Sequence, residues 1–166
     1  MEMVARYVGA IIIGYLLGAI PVGLVLVKLV KGVDIRQYGS GKTGATNVLR
    51  TLGWWAGALV LVADVAKASG AVLIAGALTG NQMAQAGAGI AAILGHNWPI
   101  YVGFRGGRGV CTSMGGALPL SLLTGLPAFG TFLLVVALTR YVSLGSILGP
   151  VVALIIAASL VADTKI

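Results

Sequence analysis

The chain has 166 residues, 58% of them hydrophobic and only 9% charged, with a mean hydropathy of +1.03. Such values exclude an ordinary soluble domain and place the protein in a membrane. Its net charge of +7 is spread through apolar sequence without a contiguous basic stripe, which excludes a nucleic-acid partner; the lone cysteine excludes an intramolecular disulfide, and one histidine with four carboxylates leaves no metal cluster.

A helix needs about 20 apolar residues to cross the hydrocarbon core, and six segments satisfy or approach that length. The first, residues 7–30, is too long for the apolar core of a signal peptide and lacks a small-residue cleavage site, so it is expected to remain in the protein. Gly14 and Gly18 within it form a small-xxx-small pair, read equally as a helix contact or as chance in a glycine-rich helix. The second segment is 54–78, the third 83–94, and the fourth and fifth share 110–139 around Pro119 and Pro127. The sixth begins near Leu144. The third and fourth are short and are expected to be tilted or partly spanning. Together these segments predict an all-α integral membrane protein: one polytopic domain over residues 1–166, a compact bundle of about six transmembrane helices, with a short interfacial helix after the first.

With the N-terminus outside, Lys28, Lys31, Arg36, Lys42, Arg50, Arg105, Arg108 and Arg140 fall on the cytoplasmic side. Arg6 and Lys165 fall outside and Lys67 within a helix, so the excess of inner cations favours this orientation. Trp54, Trp55, Trp98 and Tyr101 stand where interfacial aromatic belts would lie.

The stretch "YGSGKTGATN", residues 38–47, resembles the phosphate loop of a nucleotide hydrolase. That motif requires a glycine where Arg36 stands, a strand before the loop and an acidic residue on a later apolar strand for magnesium; all three are missing. The logic of a phosphate cradle survives, because Gly39 and Gly41 bare backbone N–H groups and a helix N-terminus follows. A helix from Thr43 would place Ala45, Val48, Leu49 and Leu52 on one face and Thr43, Asn47 and Arg50 on another. The polar face is read either as a phosphate-binding surface or as the solvated side of an interfacial helix.

A second loop, "GHNWPIYVGFRGGRGVCTS" at 95–113, tips the balance toward phosphate. Arg105 and Arg108 flank the Gly106–Gly107 pair and lead into a helix with Thr112 and Ser113 in its first turn. Arginine matches oxyanions with paired donors, and glycine clears the approach. Asp64 and Lys67, three residues apart inside an apolar segment, are expected to pair, with a substrate role for Lys67 as the alternative. Cys111 is read as a small packing residue, and "RYVSLGS" places Ser143 and Ser146 near the start of the last helix.

These motifs carry a resemblance. "GSGKTGATNVLRTLG" followed by "GHNWPIYVGFRGGRGV" is similar to the first two signature motifs of the bacterial acyl-phosphate:glycerol-3-phosphate acyltransferases of the PlsY type, and "GYLLGAIPVG", "DVAK" and "RYVSLGS" extend the likeness over essentially the whole chain. The resemblance implies a small seven-helix membrane enzyme with an external N-terminus, in the bacterial inner membrane. It would pass a fatty acyl group from acyl phosphate to glycerol 3-phosphate, giving lysophosphatidic acid and inorganic phosphate, without acyl-CoA and with no cofactor. Carried over by position, it implies catalytic or substrate roles for Ser40, Arg50, His96 and Arg108. Phosphate contacts are implied for Gly41, Lys42, Thr46, Asn47, Arg105, Gly106 and Gly107, and further roles for Ser143 and Ser146.

Lys42 stands where the family commonly has asparagine, and Arg105 and Arg108 where lysines are usual. The third motif, histidine-arginine-x-asparagine on a seventh helix, has no counterpart before the chain ends at "VADTKI". The expected partners are the two phosphate-bearing substrates and membrane lipid, with the protein a monomer. His96 is read as a structural hydrogen-bonding group or a catalytic one, and a substrate phosphate could accept the proton itself. A small-anion transporter and a catalytically impaired homologue are the alternatives.

Overall fold

The computed structural model describes residues 1–163, so Lys165 lies outside the described residues. All regular elements among them are helical: α1 (Glu2–Ala19), α2 (Val22–Lys31), α3 (Ala45–Leu52), α4 (Trp54–Thr79), α5 (Gln82–Asn97), α6 (Val110–Leu120), α7 (Leu122–Thr139) and α8 (Val142–Asp163), with 3-10 turns at Ile35–Gln37 and Ile100–Val102. Glu2–Lys31, Trp54–Thr79, Leu122–Thr139 and Val142–Leu160 are each long and apolar enough to cross a membrane. The expected short third and fourth segments are the 16-residue α5 and the 11-residue α6.

One expectation needs correction. The first segment is two helices, because Pro21 has no N–H to continue the ladder and holds Ile20 in an extended conformation (φ −59°, ψ 113°). The fourth and fifth segments share 110–139 as expected. Pro119 lies inside α6 and Pro127 inside α7; the break falls at Ser121, whose hydroxyl caps α7 by accepting from the Thr124 N–H at 3.3 Å.

The chain forms two compact units, Met1–Gly116 and the residues from Ala117 onward. Within the first, α1, α4 and α5 pack through small residues. A Cβ at Gly14 would stand 2.6 Å from the Ala88 carbonyl oxygen, one at Gly18 would strike that of Ala92, and one at Gly95 would strike that of Tyr15. The Gly14–Gly18 pair is therefore a helix contact. Ala10, Ala75 and Ala88 fill one buried layer and Ala68, Ala71 and Ala92 another, so backbones approach as membrane helices do when no large side chain intervenes. A second core of Leu24, Val27, Ile35, Val48, Ala56 and Val60 fixes α2, α3 and α4 together. In the second unit α7 and α8 pack on each other, the chain reversing at Arg140 (φ 61°).

Candidate functional site

The first glycine loop, 32–44, is organised from within by Asn47. This side chain is 1% exposed, and its Nδ2 lies 2.8 Å from the Lys42 carbonyl oxygen, 3.0 Å from that of Tyr38 and 3.3 Å from that of Ile35. Its Oδ1 accepts from the Ser40 N–H at 3.2 Å. Three carbonyls on one side and an N–H on the other fix the orientation of the amide. Gly39 (φ 58°) has a left-handed backbone and no space for a Cβ against Asn47 Oδ1.

This geometry corrects the sequence reading at several residues. The helix starts at Ala45, not Thr43, and Thr43 is buried in the loop before it. Asn47 faces inward, so Thr43, Asn47 and Arg50 do not form one exposed face, and the Asn47 amide bonds the loop. The Gly41 N–H is likewise taken, donating to the Tyr38 carbonyl at 3.1 Å. Ser40, Lys42 and Arg50 remain exposed and Thr46 half-buried. Arg50 lines an open cavity of about 450 Å³ with Lys31, Val33, Tyr38, Gly39 and Thr51, and Lys31 Nζ donates to the Thr51 carbonyl at 2.5 Å.

In the second loop the glycine N–H groups also serve the protein. Gly107 donates to the His96 carbonyl at 3.0 Å and Gly106 to that of Asn97 at 3.2 Å, closing the C-terminal end of α5. A Cβ at Gly106 would strike the His96 carbonyl oxygen, and one at Gly107 would strike His96 Nε2. These glycines admit the protein's own backbone and imidazole. Arg105 and Arg108 are exposed. Thr112 is fully buried with no partner for Oγ1, while Ser113 Oγ donates to the Val110 carbonyl at 2.8 Å.

Arg36, which served in the sequence to reject a nucleotide loop and to count inner cations, joins the two loops. Its guanidinium pairs with Asp34 at 2.6 Å and donates from Nη1 to the Val102 carbonyl at 2.8 Å. An acidic and a basic residue flanking Ile35 were the available sequence signal. The hydrogen bond from Arg36 holds the Asp34 carboxyl below its ordinary value of 3.8, and the same pairing raises Arg36. A lowered carboxylate contributes fully above the ordinary value and loses that contribution as pH falls through the lowered one. Acid titration of wild type should thus show a folded-state transition that Asp34→Asn lacks, and a transition common to both proteins would show that this pair does not couple to folding.

Deeper in the same unit, Asp64 and Lys67 form the expected ion pair, 2.9 Å apart with side chains 3% and 7% exposed. His96 completes it: Nδ1 lies 2.8 Å from Lys67 Nζ and 3.4 Å from Asp64 Oδ1. Lys67 Nζ also donates at 3.3 Å to the carbonyl of Ile20, at the α1–α2 break. With Thr43 and Pro99 these residues line a cleft too narrow for a water molecule. A separation of 29 residues left the Lys67–His96 contact unreadable from periodicity. Ser143 and Ser146 belong to the second unit, where Ser146 Oγ donates to the Ser143 carbonyl at 2.8 Å within α8.

Fold and loops define a polytopic α-helical membrane protein with two interlinked glycine loops, exposed cations at 42, 105 and 108 on the loops and at 31 and 50 on the helices flanking the first, a donor set suited to oxyanions. A model of the glycerol-3-phosphate acyltransferase family matches residues 8–165, and the chain belongs to that family. It is 51% identical over 140 residues to the glycerol-3-phosphate acyltransferase of Thermoanaerobacter pseudethanolicus, covering 84% of this chain and 70% of the relative. Against that of Shouchella clausii it is 46% identical over 159 residues, covering 92% and 78%. Among solved structures it is similar to PlsY, an integral membrane glycerol 3-phosphate acyltransferase, in its glycerol 3-phosphate form (TM-score 0.81, 41% identity, 89% of this chain and 74% of that one). The lysophosphatidic acid form of PlsY matches with a TM-score of 0.78 and 40% identity over 89% and 73%.

Proposed function

We propose that this chain transfers a fatty acyl group from acyl phosphate to glycerol 3-phosphate, releasing lysophosphatidic acid and inorganic phosphate, as the first step of phospholipid synthesis. The observation that carries the reading is the likeness to an acyltransferase crystallised in both a glycerol 3-phosphate and a lysophosphatidic acid form, an acceptor and its acylated product. Acyl phosphate as donor follows from the two motifs and from chemistry: phosphate is a good leaving group, so the acceptor hydroxyl can attack the acyl carbonyl without a covalent enzyme intermediate.

Arg50, Lys42, Arg105 and Arg108 are exposed and stabilise the phosphates and the charge developing on oxygen; Ser40 and Thr46 supply hydroxyls beside them. Asn47, Gly41, Gly106 and Gly107 act indirectly by shaping the loops. A substrate phosphate accepts the hydroxyl proton. The protein works as a monomer without a cofactor in the bacterial inner membrane, its N-terminus outside and both loops cytoplasmic, an orientation supported by the excess of inner cations. The transporter alternative gains no supporting observation.

Purified protein should form lysophosphatidic acid from acyl phosphate and glycerol 3-phosphate, and acyl-CoA or ATP should not replace the donor. Equal turnover with acyl-CoA would overturn the donor assignment. Loss of a paired hydrogen bond to phosphate costs about 1.5 to 3 kcal/mol, so Arg50→Ala should lower kcat/KM roughly 10- to 150-fold. Arg50→Lys should recover part of it, since an ammonium restores charge but not the planar fork. Kinetics within about twofold of wild type for both variants would be a surface-substitution outcome and would remove Arg50 from the site.

A further inference from the structure

We propose that Asp64 and Lys67 are positioning residues that hold His96 in the tautomer with its proton on Nε2, presenting that N–H as a donor at the second glycine loop. The functional half of this inference rests on the acyl-transfer reading; the tautomer does not. An ammonium has three donors and no acceptor. Lys67 Nζ faces three acceptors: Asp64 Oδ1 at 2.9 Å, His96 Nδ1 at 2.8 Å and the Ile20 carbonyl at 3.3 Å. If Nδ1 accepts from Lys67, the single proton of a neutral imidazole sits on Nε2. The opposite tautomer would aim Nδ1–H at an ammonium 2.8 Å away and reach Asp64 only at 3.4 Å, exchanging a charge-assisted bond for a donor–donor clash.

The far edge of the ring is equally constrained. Gly107 leaves room for Nε2 where any Cβ would collide with it, and the Gly107 N–H is anchored to the carbonyl of His96 itself. Loop and ring therefore move together. No protein acceptor is bonded to Nε2 among the described residues, so its N–H is a donor left over beside the loop that carries Arg105 and Arg108. A substrate phosphate or acyl oxygen is the acceptor it suits. Orienting such a ring through the hydrogen bond at its other nitrogen is the usual means of fixing which nitrogen presents the proton.

His96 is the only histidine, so protein labelled with 15N-histidine gives one imidazole spin system. At pH ~8.5, where an ordinary imidazole is neutral, wild type should show one tautomer, Nε2 protonated and Nδ1 bare. A bare ring nitrogen resonates far from a protonated one, so the assignment is direct. An Nδ1-protonated ring, or the mixture of free imidazole, would overturn the proposal. In Lys67→Met the remaining Asp64 should draw the proton to Nδ1; a folded Lys67→Met with an unchanged spectrum would remove Lys67 from the role.

Kinetics supply an arm that survives if Lys67→Met fails to fold. His96→Gln places an amide N–H near the Nε2 position, and His96→Asn near Nδ1. Gln should retain activity within about 10-fold of wild type, whereas Asn should lose roughly 10- to 150-fold, the cost of a missing bond to a charged group. Equal losses in the two variants would overturn the donor assignment. A wild-type protein with no acyl transfer would instead sink the acyl-transfer reading and leave the tautomer result standing.

Discussion

Replacing Asn47 by aspartate should lower kcat/KM by roughly 10²- to 10³-fold while helical content stays unchanged. The carboxylate nearly matches the amide in shape and keeps the acceptor for the Ser40 N–H. It loses the donors that reach the Ile35, Tyr38 and Lys42 carbonyls and sets a buried negative charge against those three oxygens. At about 1 kcal/mol per lost bond, and more where a buried group is left unpaired, the closed loop loses about 3 to 4 kcal/mol. Limited proteolysis should cut the 32–44 loop faster in the variant, while circular dichroism reports intact helices. Kinetics within threefold of wild type would mean that the loop holds its shape without Asn47.

Asp64→Ala should have the larger effect on folding. It leaves Lys67 buried at 7% exposure without a counter-ion, and removing one partner of a buried pair costs about 3 to 5 kcal/mol. The thermal midpoint should fall on the order of 10 °C. Removing both charges in Asp64→Leu/Lys67→Met should restore most of that stability, because replacing a whole buried pair by apolar groups is often neutral. Activity should not return with it, since His96 then has no ammonium at Nδ1. Thermal denaturation of both variants in the same detergent decides the point: equal midpoints for single and double variants would show that the pair's electrostatics do not govern stability.

Much of this architecture is legible in the sequence because its causes are local. Apolar runs mark the spans, and the lengths of α5 and α6 follow from the polar residues that bound them. The Asp64–Lys67 pair follows from spacing of three on a helix in an apolar setting. The α1–α2 break carried its signal in Pro21, hidden inside an otherwise continuous apolar run.

Contacts between distant segments were not legible. Periodicity cannot say that Asn47 turns inward to hold carbonyls up to 12 residues away, or that Arg36 reaches Val102 across 66 residues. The glycines admit two readings for a physical reason. Room for a ligand and room for the protein's own backbone demand the same residue, and at 106 and 107 the backbone and imidazole of His96 occupy the space.

The contact between α1 and α5 bears on how mutational tolerance should be interpreted. At Gly18 and Gly95 even one added methyl group meets a carbonyl oxygen of the facing helix, so the permitted alphabet at each has a single letter. In a saturation screen scored by growth, these two positions would rank with the most sensitive in the protein, although neither bears a functional group. Sensitivity ranked alone would then draw a false catalytic centre along a helix seam. A parallel measurement of protein abundance would separate the two, since seam variants should vanish from the membrane whereas Arg50 variants should accumulate and fail only in turnover.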